Sequence, residues 1–170
     1  MEEKREVLSV LVDNNSGVLA RVANLFSQRG YNIDSLTVSA TNDPKISRIT
    51  IVVQGDEDVI EQIIKQTFKL HEVRNIYVID PPKAIQRELL LIKLRLEGDN
   101  LGSIHEIANI YKASIVDLSR DSVVIELTGK PGKIDGFIDV AAQYDIIEMC
   151  RTGVTAIERG IAEHHAHKVV

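Results

Sequence analysis

The chain has 170 residues, 44% of them apolar and 26% charged, which is the balance of an ordinary folded protein with room for one medium domain or two small ones of about 80 residues. A formal net charge of −5 and the lack of a basic stripe speak against a nucleic-acid partner, because phosphate neutralisation needs clustered Lys and Arg. No apolar run nears the ~20 residues that span a bilayer and no signal-peptide pattern opens the sequence, so the expected site is the cytoplasm, and the lone Cys150, with no partner for a disulfide, is expected as a small core side chain.

Val7 to Val12 is short and apolar, a buried strand that stops at the turn-forming run Asp13-Asn14-Asn15-Ser16-Gly17. Leu19, Val22, Ala23 and Phe26 then recur at helical spacing, with Ser16 expected as N-cap and Gly30 as the stop. Ile33 to Ala40 and Ile46 to Gln54 are rich in β-branched residues and flank Thr41-Asn42-Asp43-Pro44-Lys45, which reads as a hairpin. Gly55-Asp56-Glu57-Asp58 opens a second helix through Val59, Ile60, Ile63, Ile64 and Phe68, and Val73 to Ile79 closes the unit as a fourth strand.

Strand, helix, strand, strand, helix, strand is the order of a ferredoxin-like βαββαβ unit, with one antiparallel sheet and two helices on one face. Pro81-Pro82 breaks the pattern and favours an extended linker. The order then repeats. Leu89 to Leu96 is a strand, Ile104, Ile107, Ala108 and Tyr111 mark a helix, and Ala113 to Leu118 with Val123 to Leu127 form a hairpin across Arg120-Asp121. Pro131 to Tyr144 supplies the last helix and Ile146 to Cys150 the last strand. The fold class expected is therefore α+β, two tandem ferredoxin-like domains: 1–80, a linker 81–87, a second domain 88–163 and a tail 164–170.

The repeat extends to residues. Gly17, Leu19, Val22 and Ala23-Asn24-Leu25-Phe26 match Gly102, Ile104, Ile107 and Ala108-Asn109-Ile110-Tyr111 at a constant offset, as duplication would leave them. The copies part afterwards, and Asn32 is met by Ser114. A site that uses Asn32 would therefore lie in residues 1–80 alone and leave the second unit to dock or transmit, a division that a cut at Pro81-Pro82 would test.

The loop Asp13 to Gly17 leads from a strand edge into a helix N-terminus, where free amide groups and the positive dipole end attract a carboxylate. Gly17 suits a close backbone approach or φ > 0, and the Asn14 amide can donate and accept, as a zwitterionic amino acid requires. Spacing alone favours an ordinary capped helix, just as Gly30-Tyr31-Asn32-Ile33 by itself is a helix stop followed by a strand.

Together the two segments resemble an ACT domain, a small-molecule sensor in which amino acids bind where two such units pair. The run from Ser16-Gly17-Val18-Leu19-Ala20-Arg21-Val22 through Leu25 to Val38, continued by Asp43-Pro44 and Ser47-Arg48-Ile49-Thr50, resembles the small regulatory subunit of acetolactate synthase. Glu88 to Leu94 and Arg151-Thr152-Gly153-Val154 are later anchors of that resemblance. It implies a non-catalytic, feedback-inhibited subunit that activates a large catalytic chain in branched-chain (valine, leucine, isoleucine) amino-acid synthesis. Thiamine diphosphate, Mg and FAD are then expected on that large subunit and none on this chain. It further implies a homodimer that binds valine or another branched-chain amino acid between copies, through Asn14, Ser16, Gly17 and Val18 of one and Asn32 and Ile33 of the other.

His164, His165 and His167 lie close in a terminal tail without the supporting partners that fix a metal site, and the tail does not resemble the family ending. Gly129-Lys130-Pro131-Gly132-Lys133 lacks the Walker spacing and the Ser or Thr after Lys. No catalytic constellation is legible. Two rival readings stay open at this point: an ACT-type sensor subunit of a different enzyme, and an RNA-recognition module, which shares the element order but stacks bases on aromatics that the first and third strands lack.

Overall fold

The computed structural model describes residues 4–161, and the histidine tail lies outside them. The chain forms two compact units, one made of residues up to Ile85 together with Val154 onward, the other of Gln86–Gly153.

In the first unit β1 (Lys4–Asp13), α1 (Val18–Gln28), β2 (Ile33–Ala40), β3 (Ile46–Gly55), α2 (Glu57–Phe68) and β4 (Val73–Val78) follow in the expected order. The sheet runs β2-β3-β1-β4 with every neighbouring pair antiparallel. Alternation places Leu8, Val10, Val12, Ile49, Ile51 and Val53 on one face, where they pack with Val18, Val22 and Phe26 of α1 and Ile60 and Ile63 of α2. Each such buried side chain stabilises by roughly 1.5–3 kcal/mol relative to exposure, which is why the 3.6-residue stripe of the helices and the two-residue period of the strands fix this arrangement.

The other face of the sheet carries Val7, Val52, Tyr77 and Ile79, and these are also buried. Val154 and Ala156 cover them, brought there by a strand that the sequence reading did not contain, β9 (Thr155–Glu158). It pairs with the strand β5 (Ala84–Arg95), and the Arg159 amide donates to the Lys83 carbonyl at 2.7 Å beside that pairing. The stretch placed with the second domain thus folds into the first, and a cut at Pro81-Pro82 would strip the first unit of part of its own core. The linker is also shorter than expected: Pro81–Lys83 makes one 3-10 turn and a strand begins at Ala84.

The second unit repeats the order with β5 (Ala84–Arg95), α3 (Leu101–Tyr111), β6 (Ser114–Leu118), β7 (Ser122–Gly129), α4 (Pro131–Ala141) and β8 (Ile146–Arg151), in a sheet β6-β7-β5-β8. Leu90, Ile92 and Leu94 face Ile104, Ala108, Ile134 and Phe137. Glu88 is buried, and one oxygen of its carboxylate, Oε2, accepts from Arg151 Nε at 2.6 Å and also lies against Nη2, while Arg151 Nη1 reaches Asp135 at 2.7 Å. Burial works against the Arg151 charge, but its hydrogen bonds to Glu88 and Asp135 outweigh that and its pKa is raised. Cys150 is exposed, a correction with a simple cause. It pairs with Leu91, whose side chain points away from the face that carries Leu90 and Ile92, and β8 is an edge strand.

Candidate functional site

The loop between β1 and α1 is held at its base. Asp13 accepts two hydrogen bonds from Arg74, at 2.6 and 3.0 Å, and its amide donates to the Glu72 carbonyl at 2.9 Å. That ion pair raises the Arg74 pKa through the hydrogen bond first and the charge second, and it occupies the nearest carboxylate of the loop. The Asn14 amide donates to the Lys45 carbonyl at 2.7 Å, and its side-chain Nδ2 donates to the Pro44 carbonyl at 2.9 Å. The β2–β3 hairpin therefore orients Asn14, leaving Oδ1 as the atom that can accept from a ligand.

Gly17, not Ser16, occupies the N-cap position, with φ 85°, and no side chain caps the helix. The expectation for Ser16 fails because the chain turns through a left-handed residue before the helix begins, a conformation that favours Gly. A Cβ built on Gly17 would meet nothing within 4 Å, so the demand for glycine is one of backbone rather than of space within this chain. The Val18 side chain is buried in the core and can offer only its backbone. No acidic residue lies in the first turn of α1. The Val18 amide makes a long hydrogen bond, 3.5 Å, to the Asn15 carbonyl, and no side chain caps the helix, at the end where a carboxylate is attracted.

At the far end, Arg29 and Gly30 close the helix by donating to the Phe26 and Ser27 carbonyls, with Gly30 at φ 69°. Asn32 follows, exposed, and its Nδ2 donates to Asp34 at 3.0 Å. Asp34 also accepts from Gln54 at 2.8 Å and faces Arg5 at 3.6 Å. Asp34, missed in the sequence reading, fixes the Asn32 amide and leaves Oδ1 outward. The available signal was the Asn-x-Asp spacing at the head of a strand. The register of β2 against β3 shifts between Ile33 and Ser35, a bulge that re-aims the side chains on either side of it.

The two groups are not brought together within one copy. Asn14 and Gly17 precede α1 and Asn32 and Ile33 follow it, and an 11-residue helix is about 16 Å long. Two open cavities of the first unit lie elsewhere. One, of about 260 Å³, is lined by Ile60, Ile64 and Val78 among others; the other, of about 290 Å³, by Thr37, Arg48, Thr50 and Ala156 among others.

Comparison with known proteins decides the family. Residues 8–75 match a family model described as an AHAS small subunit-like ACT domain, and residues 87–160 one described as the small subunit of acetolactate synthase. The chain is 49% identical to the probable acetolactate synthase small subunit of Archaeoglobus fulgidus, covering 92% of this chain and 98% of that one. It is 42% identical to the isozyme 3 small subunit of Escherichia coli, covering 92% and 96%. The chain belongs to the acetolactate synthase small-subunit family. The crystal structure of the small subunit from Thermotoga maritima superposes with a TM-score of 0.87 at 40% identity, over 94% of this chain and 99% of that one.

As a member of that family the chain is a regulatory subunit with an ACT domain, and both the catalytic activity and its cofactors belong to the large subunit. No group of three or more His, Cys, Asp or Glu side chains converges on a common point among the described residues, and no helix among them is long and apolar enough to cross a membrane. In the first unit the RNA-recognition rival loses its surface, since the sheet face opposite the helices is covered there by Val154 and Ala156. The second family match runs on through β9.

Proposed function

We propose that the first unit binds valine, or a close branched-chain relative, and that the bound amino acid restrains a catalytic large subunit which the ligand-free chain activates. The supporting observation is the uncapped start of α1 behind a left-handed Gly17. Its amide donors suit the ligand carboxylate, while the Oδ1 atoms of Asn14 and Asn32 suit its ammonium. Ile33, half-buried at the head of β2, offers an apolar wall to a branched side chain.

Because the two groups stand at opposite ends of α1, the site needs a second copy. We place it beside the β2 edge of the first sheet, in an isologous pair that closes two identical sites. Calorimetric titration of valine, leucine and isoleucine into the chain, with sedimentation alongside, tests both statements. Valine should bind most tightly, one per protomer, to a dimer. A monomer that binds valine at full stoichiometry overturns the two-copy site. In assays with pyruvate and all cofactors supplied, the chain alone should make no acetolactate and should raise the turnover of its large subunit.

A further inference from the structure

We infer that Ser35 and Thr37 of β2, with Thr152, are positioning residues that carry the effect of a bound amino acid from the first unit toward the second. The inference rests on the amino-acid site proposed above and concerns what happens after it fills. On the face of the first sheet away from the helices, Ser35 Oγ accepts from the Val154 amide at 3.0 Å. Two residues on, Thr37 Oγ1 donates to the Val154 carbonyl at 2.8 Å. One residue of the chain's far end is thereby gripped on both of its backbone polar groups by a single strand. Arg48 adds a longer hydrogen bond, 3.5 Å, to the Ala156 carbonyl.

The same strand begins with Asn32 and Ile33, and the bulge at Asp34 sits between them and Ser35. A ligand that pulls on Asn32 pulls on the residue that orients it, Asp34, and so on the stretch that presents Ser35. Val154 in turn is joined through Gly153, at φ 83°, to Thr152. Within the second unit Thr152 is held as tightly: its amide donates to the Leu89 carbonyl and its Oγ1 accepts from the Leu89 amide, both at 3.0 Å. Arg151 beside it is fixed by the buried Glu88. The chain thus crosses from one unit to the other through a segment pinned on each side of one glycine. The repeat does not reproduce the device, since Asp117 of β6 stands where Ser35 stands.

Each of these hydrogen bonds is worth roughly a fivefold factor in an equilibrium, so losing two lowers the coupling by about 25-fold. That is much of the 5- to 150-fold range open to such systems. The test compares Ser35→Ala/Thr37→Val and Thr152→Val with the parent chain, each measured for valine affinity by calorimetry and, reconstituted with the large subunit, for activation and for inhibition by saturating valine. The expected result is a split: affinity within about threefold of the parent, activation retained, and maximal inhibition reduced to less than half. Thr152→Val leaves the first unit untouched and decides alone if the double variant fails to fold. Inhibition undiminished in the folded variants overturns the inference, as does a loss of inhibition fully matched by a loss of affinity, which would make these residues part of the pocket wall. A parent chain that binds no branched-chain amino acid would instead remove the site itself.

Discussion

The two units share an element order and a run of matching residues, yet their first helices begin in different ways. α1 starts at Val18 behind a left-handed Gly17 with no side-chain cap. α3 starts two positions earlier in the aligned repeat, at Leu101, so Gly102, the partner of Gly17, lies inside the helix. Asn100 then folds its side chain back onto its own loop, accepting from the Glu97 amide at 3.1 Å and donating to the Arg95 carbonyl at 3.2 Å. Neither helix start has a side-chain cap, so the copies differ in the left-handed glycine that precedes α1 and in the Asn100 side chain that the loop before α3 uses internally. The copies thus differ by two residues in where the helix begins.

The largest effect expected from breaking this comparison is at the buried ion pair of the second unit. Arg151→Ala leaves the Glu88 carboxylate buried without its partner, which typically costs about 3–5 kcal/mol. Chemical denaturation should show that loss, and α3 and α4 should lose hydrogen-exchange protection before α1 does.

Gly17→Asp should abolish inhibition by valine and preserve activation. Asp tolerates the left-handed region better than most residues, so the variant folds, and its carboxylate competes with that of the ligand. The coupling lost is about 1–3 kcal/mol, read as the absence of inhibition at valine concentrations that saturate the parent. A folded, activating variant inhibited at the parental concentration would show that Gly17 serves only the helix.

Asn32→Ser makes the first copy like the second at that position. Valine affinity should fall by about tenfold, the worth of a hydrogen bond to a charged group, with the melting temperature nearly unchanged. Calorimetry and thermal unfolding separate the two.

The smallest pair is the sharpest for the repeat itself. Gly17→Ala should destabilise by about 1–2 kcal/mol because of its positive φ, whereas Gly102→Ala, in open space and at an ordinary helical φ, should stabilise by about 0.5–1 kcal/mol. Equal signs in denaturant titrations would mean that the two helix starts are alike in solution.

Most of the fold was legible because the helices and strands bury one face each, and burial writes its period into the chain. Val22 and Phe26 on α1 and Leu90, Ile92 and Leu94 on β5 are visible in this way, whereas Leu19, expected on the same stripe, is exposed and Val18 is buried in its place. β9 was not, since four residues are too few to show alternation and its partners lie some 70 residues earlier in the chain. The site was half legible. Asn14, Gly17 and Asn32 stand out by residue type and place, but Ser16 reads as the cap because Ser is a preferred N-cap residue, and only backbone geometry shows the helix starting after a left-handed turn. Asp34 was hidden because its role depends on a bulge, and a bulge is a register between strands rather than a property of one.

The strand that returns to the first unit also sets an order of events during synthesis. Val7, Val52, Tyr77 and Ile79 emerge early, but the side chains that cover them are Val154 and Ala156. At about 5–20 residues per second, the ribosome needs roughly 4–15 seconds to make the ~75 residues in between. Throughout that interval the newborn sheet shows an apolar face to its surroundings, so the second unit must be threaded out before the first can be finished, and any pause within it lengthens the time in which a chaperone, or another nascent copy, can take hold.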